Sequence, residues 1–392
     1  MKSRSTLPYL LFTCILSLVL AGSTSLSASP VDILPGGPYP VASSNLEVNT
    51  PTTETIESYM IGAIESDQSH YISDLLSDRA SVLSININIP NSASLYGSDA
   101  GRNIPIVGYI VYPTTAENDR EDYVFPYTNT ADHVFPHMDR VGEDPIPAYT
   151  NRLLPLIIYS HGYNAHGLWD LDHMKYLASH GYIALSIFHG DGRFSQFPCA
   201  VRTLMVRSFL TYLLNHPKYG PMIDPDRIGL SGASLGGFTT LAILGGLYHN
   251  DPATVTDPRI KAGFGIVPWI GGSFDYPFLQ DFSTLANVTV PFMAVFGEKD
   301  SAAPPEIAIQ GLQQTSGITI GVQYTGVEHQ FTQAAWEDTR TLEVLFFDSF
   351  LKDATTTRQI LLNGTQVVGG VEDQMLVRRI PGTEVEPETT EP

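Results

Sequence analysis

The chain has 392 residues, 43% of them hydrophobic, which supplies a large core and excludes a disordered or collagen-like protein. Its formal charge of −20 reflects few cations, 21 Lys and Arg against 41 Asp and Glu, rather than runs of carboxylate. That balance argues against a nucleic-acid partner, because phosphate contacts need Lys/Arg clusters and none stands out.

Lys2 and Arg4 precede an apolar run, Leu7 to Ala21, and then the small residues Gly22 to Ala28. This pattern predicts a secretory signal peptide over residues 1–28, hence a secreted (extracellular or periplasmic) protein. The run is short for a bilayer, so no stable membrane span is expected after cleavage. Cys14 leaves with the leader; Cys199 then stands alone, and no intrachain disulfide can form. Residues 29–80 read as an extension: a Pro-, Ser- and Thr-rich arm over Pro30–Thr55, then an amphipathic helix near Glu54–Ser77. Leu83, Ile85, Ile87 and Ile89 alternate with polar residues and predict a half-buried antiparallel strand, with Ile104–Tyr112 as its neighbour. Thr114–Asn151 shows no clean period and reads as an insertion. His133 and His137 lie in it with Asp132 and Asp139, at a spacing that fits no strong zinc pattern, so no metal is expected.

From Pro155 the texture changes to short apolar runs alternating with helical periods. Strands are predicted at Leu156–Tyr159, Tyr182–Phe188, Ile228–Leu230, Ala262–Val267, Phe292–Phe296 and Ile318–Tyr324. Helices are predicted around Leu171–Ala178, Val201–Leu213, Leu235–Tyr248, Glu306–Gln314 and Ala334–Leu351. Together they define an α/β fold: a mostly parallel central sheet, antiparallel N-terminal strands, and helices on both faces. The domain is expected to span 81–352, with the insertion at 114–151, followed by a C-terminal extension and acidic tail over 353–392.

Gly232-Ala233-Ser234-Leu235-Gly236 follows a predicted strand and opens a predicted helix. A sharp strand-to-helix turn needs small residues around the serine, and it projects the hydroxyl beside a helix N-terminus that favours a developing anion. Ser234 is therefore the candidate nucleophile. A serine at its ordinary pKa needs a base, itself oriented by an acid, in the chain order Ser, Asp or Glu, His. His249 and His329 follow Ser234; His249 lies at the far end of the helix that Ser234 starts, which leaves His329 as the base. Asp300, just past the strand Phe292–Phe296, is the candidate acid, with Glu298 as its rival. The oxyanion donors are assigned to the N–H of Leu235 and that of Tyr163, with Gly162 as fallback, from the loop Ser160-His161-Gly162-Tyr163. His161 itself reads as structural. His189-Gly190-Asp191 ends another strand at the same sheet edge, as a ligand contact or a loop-stabilising group.

The segments SHGYNAHGLW, LASHGYIALSIF, DRIGLSGASLGGFTTLA, VPWIGG, VTVPFMAVFGEKDSAAP and GVEHQF resemble the serine α/β-hydrolases. Within that superfamily they are most similar to the dienelactone-hydrolase-like, cutinase and polyethylene-terephthalate-hydrolase-like esterases. The resemblance spans about Pro155 to Leu351. It implies an α/β-hydrolase fold, a Ser234–Asp300–His329 triad, and no cofactor. It also implies that Trp269, with Tyr163, contacts the substrate along an acyl cleft. The implied activity is a secreted carboxylic ester hydrolase acting through an acyl-enzyme on a small-molecule or polymeric ester, as a monomer. A polyester hydrolase, a lipase, a serine peptidase and a non-catalytic binding protein on a hydrolase fold are the alternatives. Ala233 stands where the polyester hydrolases usually carry Trp or His, and the disulfides common in them cannot form here.

Overall fold

The computed structural model describes residues 29–44, 83–125, 133–139, 142–149, 151–165, 167–194, 198–247, 255–272 and 275–381. The predicted leader, the helix near Glu54–Ser77, His166, His249 and the end of the acidic tail lie outside them.

A ten-stranded mixed sheet runs through the molecule. In chain order its strands are β1 (Val41–Ser43), β2 (Leu83–Asn88), β3 (Asn103–Pro113), β4 (Leu154–Ser160), β5 (Ile183–Phe188), β6 (Ile223–Ala233), β7 (Ile260–Ile266), β8 (Phe292–Gly297), β9 (Thr319–Tyr324) and β10 (Asp373–Arg379). Across the sheet the order is β10-β9-β8-β7-β6-β4-β5-β3-β1, with β2 paired to β3. The strands from β4 to β9 are mutually parallel, whereas β1, β2 and β5 pair antiparallel with β3, and β10 pairs antiparallel with β9. β4, β5 and β8 are buried along their whole length, as strands covered on both faces must be. In β2 and just beyond it, Ile87 and Ile89 are buried while Asn86 and Asn88 face water, so the predicted alternation is present.

The helices α1 (Leu171–Ser179), α2 (Cys199–Asn215), α3 (Leu235–Leu244), α4 (Pro305–Leu312), α5 (Gln333–Leu351) and α6 (Thr355–Asn363) divide between the two faces. α2, α3 and α4 pack into one core cluster, and α1, α5 and α6 into the other. Every residue of α3 is buried, which explains its lack of an apolar stripe. α3 stops at Leu244, before Gly245, shorter than the helix predicted to Tyr248. The arm at residues 29–44 is tied down: Ser29–Asp32 pairs parallel with Thr365–Val368, and Leu34 N–H donates to Thr341 Oγ1 at 3.0 Å. No helix among the described residues is long and apolar enough to cross a membrane.

The chain runs from β4 outward to β5 and then returns to β6 on β4's other side. That reversal leaves a crevice at the carboxyl ends of β4 and β6, the usual ligand position in such sheets.

Candidate active site

Ser234 sits between β6 and α3 at φ 52°, ψ −114°, a conformation that costs free energy for any residue with a Cβ. Its neighbours explain how the turn is held. A Cβ on Gly236 would lie 1.8 Å from the Ser160 carbonyl oxygen, and one on Gly232 would lie 2.4 Å from the Gly236 backbone. Only glycine lets strand, turn and helix approach so closely. Ser234 N–H donates to Ile266 O at 2.8 Å, and Ser234 O accepts from Gly237 N at 2.9 Å and Trp269 N at 3.0 Å. The turn is thus bonded to the end of β7 as well as to its own helix. Val267, next along that loop, also has positive φ, at 42°.

Asp300 follows β8 and is 3% exposed. Its Oδ1 accepts from Ala302 N at 2.9 Å and Ala303 N at 2.8 Å, which fixes the carboxylate. Its Oδ2 lies 2.7 Å from His329 Nδ1. With an ionised carboxylate this bond places the proton on Nδ1 and leaves Nε2 as the basic nitrogen. Glu298 does something else: its Oε2 accepts from Gly326 N at 2.7 Å. Lys299 N–H also donates to Val327 O at 2.8 Å, so the loops after β8 and β9 are stitched together around His329.

The loop after β4 lies against the Ser234 turn; a Cβ on Gly162 would be 3.6 Å from Ser234 Cβ. A fully buried ion pair holds this loop from behind. Arg202 of α2 donates through Nε to Asp191 Oδ1 at 2.8 Å and through Nη2 to Asp191 Oδ2 at 2.6 Å. Its Nη1 donates to His161 O, and Nη2 to Gly162 O at 2.9 Å. Asp191 Oδ2 accepts from Asn164 N at 2.9 Å as well. Burial alone would raise the Asp191 carboxyl, but the Arg202 charge and its hydrogen bonds hold it below the usual range. His161 Nε2 accepts from His189 N at 3.0 Å, so its proton is on Nδ1, which donates to Gly162 O at 2.7 Å. Burial, together with Arg202, lowers His161 to about 4 and keeps the ring neutral.

The Gly162 carbonyl therefore takes two hydrogen bonds on the Arg202 side. In a trans peptide the C=O and the following N–H point in opposite directions. The Tyr163 N–H is therefore turned away from Arg202.

That cavity has a volume of about 880 Å³ and is lined by Ser234, His329, Tyr163, Leu235 and Trp269, with Asp300 behind His329. The sequence-predicted site residues are thus brought to one place. His189 is buried with Nε2 2.8 Å from Ser160 Oγ, a loop-stabilising position. In the insertion, His137 Nδ1 meets Arg120 O at 3.0 Å and does not line the cavity. Cys199 is a free, buried thiol whose pKa burial pushes up. Among the described residues no three His, Cys, Asp or Glu side chains gather as a metal site would require. Sequence reasoning missed Arg202, as well as Tyr159, Asp170 and Trp336, which also line or back the cavity. A cation inside a largely apolar helix was the one signal for Arg202, and a weak one.

No family model matches the chain, and no curated protein matches it.

Proposed function

We propose that this protein is a serine hydrolase of the α/β-hydrolase fold that cleaves carboxylic esters through an acyl-enzyme on Ser234. The observation that carries the reading is the 2.7 Å contact between His329 Nδ1 and buried Asp300, with His329 and the strained Ser234 lining one cavity. Ser234 Oγ attacks the carbonyl carbon while His329 Nε2 takes its proton. The oxyanion accepts hydrogen bonds from Leu235 N–H, at the start of α3, and from Tyr163 N–H, oriented by Arg202 and His161. As the tetrahedral intermediate collapses, the imidazolium gives its proton to the departing alkoxide. A water then repeats the sequence on the acyl-enzyme, releasing the acid and restoring Ser234. Asp300 stabilises the imidazolium and keeps the neutral ring in its Nδ1–H form. The leader pattern over residues 1–28 supports an extracytoplasmic site of action.

Hydrolysis of p-nitrophenyl butyrate by the wild type and by Ser234→Ala tests this reading. Turnover should fall on the order of 10³-fold or more in a variant with an unchanged circular dichroism spectrum. Comparable turnover in the folded variant would remove Ser234 from the mechanism.

A further inference from the structure

Besides Ser234 and His329, the cavity is lined by two carboxylates, Asp170 and Asp275, and among the described residues no Lys or Arg lines it. The two acids belong to different sides. Asp170 stands between Leu168 and Leu171, which lie in the core cluster of the α1–α5 face. Asp275 adjoins Tyr276, which packs against the cluster of the α2–α3 face, where Leu235 and Trp269 also belong.

Asp170 is already answered by its surroundings. Burial raises its carboxyl to about 6, while His173, the Tyr159 phenol and Arg340 act in the opposite direction. Asp275 differs in being exposed on the cavity wall. Its Oδ1 accepts from Tyr276 N at 2.8 Å, and among the described residues no cation pairs with it. The segment that presents it starts at the nucleophile. Trp269 N–H donates to Ser234 O at 3.0 Å, and further on Gly272 N–H donates to Asp275 O at 3.1 Å, closing a turn.

We propose that Asp275 forms an ammonium-binding subsite for the acyl group, so that the preferred substrates are esters of cationic acids, whose acyl chain ends in a protonated or quaternary amine. The proposal rests on the serine-hydrolase reading above. The acyl assignment follows from proton transfer: the departing alkoxide must lie against His329, which protonates it, and Gln330 and Phe331 line the cavity beyond that residue. The acyl chain then takes the other side of Ser234, where Leu235 and Trp269 line the cavity toward Asp275.

The choice of a cation follows from charge and from the walls. An acyl chain ending in a carboxylate would be repelled by Asp275 and would find no Lys or Arg in the cavity. A neutral alkyl end could pack on the apolar lining but would gain nothing from the carboxylate. An ammonium gains from Asp275 and from nearby aromatic faces, of which Tyr163 is 48% exposed at the cavity. The net charge of −20 also raises the local concentration of cations around the whole chain. A solvent-exposed carboxylate attracts a cation only modestly and is screened by salt, so the preference should be severalfold and depend on ionic strength.

The test uses the purified protein and isosteric ester pairs. One pair is p-nitrophenyl 4-(trimethylammonio)butyrate and p-nitrophenyl 5,5-dimethylhexanoate, which share a shape and differ in charge; the others have longer acyl chains. The charged-to-neutral ratio of kcat/KM in the wild type, divided by the same ratio in Asp275→Asn, cancels the intrinsic reactivity of the esters. Asp275→Asn keeps an acceptor for Tyr276 N–H, so the turn is preserved. At the best-fitting length the quotient should be about fivefold at low ionic strength and approach unity at about 0.5 M NaCl. Asp275→Lys should turn the preference toward the p-nitrophenyl monoester of adipate. A quotient near unity at every length, one unmoved by salt, or no reversal in Asp275→Lys overturns the subsite while leaving the esterase reading intact. So does a charge preference confined to the alcohol, measured with butyrylcholine against 3,3-dimethylbutyl butyrate. Failure to hydrolyse any ester overturns both.

Discussion

A guanidinium with no exposed surface is tolerated only when its donors are matched, and Arg202 is matched by Asp191 and two loop carbonyls. Lysine offers a point charge in place of a planar fork and cannot hold the carboxylate and both carbonyls together. Arg202→Lys should therefore release the Gly162–Tyr163 peptide and weaken one oxyanion donor. The expected result is a fall in kcat of about 10²-fold for a small ester, with KM nearly unchanged. Steady-state kinetics on p-nitrophenyl acetate, read beside the melting curve, check this; a rise in KM at constant kcat would speak against a positioning role. Arg202 was not legible in the sequence for a physical reason. Arg207, five residues along the same helix, has a partly exposed side chain, and nothing local distinguishes the two. The partner Asp191 comes from a separate loop that only the tertiary structure brings near. That Ser234, Asp300 and His329 would meet at one sheet edge was legible because strand-end position and chain order constrain them. Choosing Asp300 over Glu298 also agrees with the contacts, since Glu298 binds the Gly326 amide instead of the imidazole.

At the scale of elements, the strand–turn–helix unit around Ser234 depends on backbone contact that a methyl group would prevent. Gly236→Ala places Cβ against the Ser160 carbonyl, which is backbone of a buried strand and cannot swing aside. The helix must retreat from β4, at a cost of about 1–3 kcal/mol or more, and Ser234 moves with it. Urea denaturation should show the lower stability, and ester hydrolysis should fall by more than the lost folded fraction explains. Full activity with unchanged stability would mean that the close approach is not required. The central strands were readable because a continuous apolar run of strand length, bounded by turn residues, suits a strand buried on both faces. β10 was not, for its sequence DQMLVRR lies on the sheet's edge beside β9, where exposed charges are acceptable and periodicity is weak. α6 escaped for a similar reason: Leu361 is its one fully buried residue.

In the whole molecule, a carboxylate of α5 fastens the segment beyond that helix back onto it, and a second carboxylate braces the segment internally. Asp338 Oδ2 accepts from Val371 N at 2.7 Å, and Asp373 Oδ2 from Val367 N at 2.9 Å. Burial raises Asp338 to about 6, aided by the nearby Asp373 and Glu337 charges and opposed by the Val371 hydrogen bond. The folded chain thus binds this proton more tightly than the unfolded chain does, so the contribution is most favourable at low pH. It is lost as pH rises from about 4 through about 6. Asp338→Asn, neutral throughout and still able to accept from Val371, should be more stable than wild type above pH 6 by about 1–2 kcal/mol. The gap should close toward pH 4, as thermal melts across that range would reveal; a gap independent of pH would contradict the assignment. Whether Ser234 is an activated nucleophile is decided by intact-mass measurement after treatment with a fluorophosphonate, followed by peptide mapping. The predicted result is one adduct per chain, on Ser234, absent from Ser234→Ala. An unlabelled wild-type protein, or a single adduct on another residue, would contradict it.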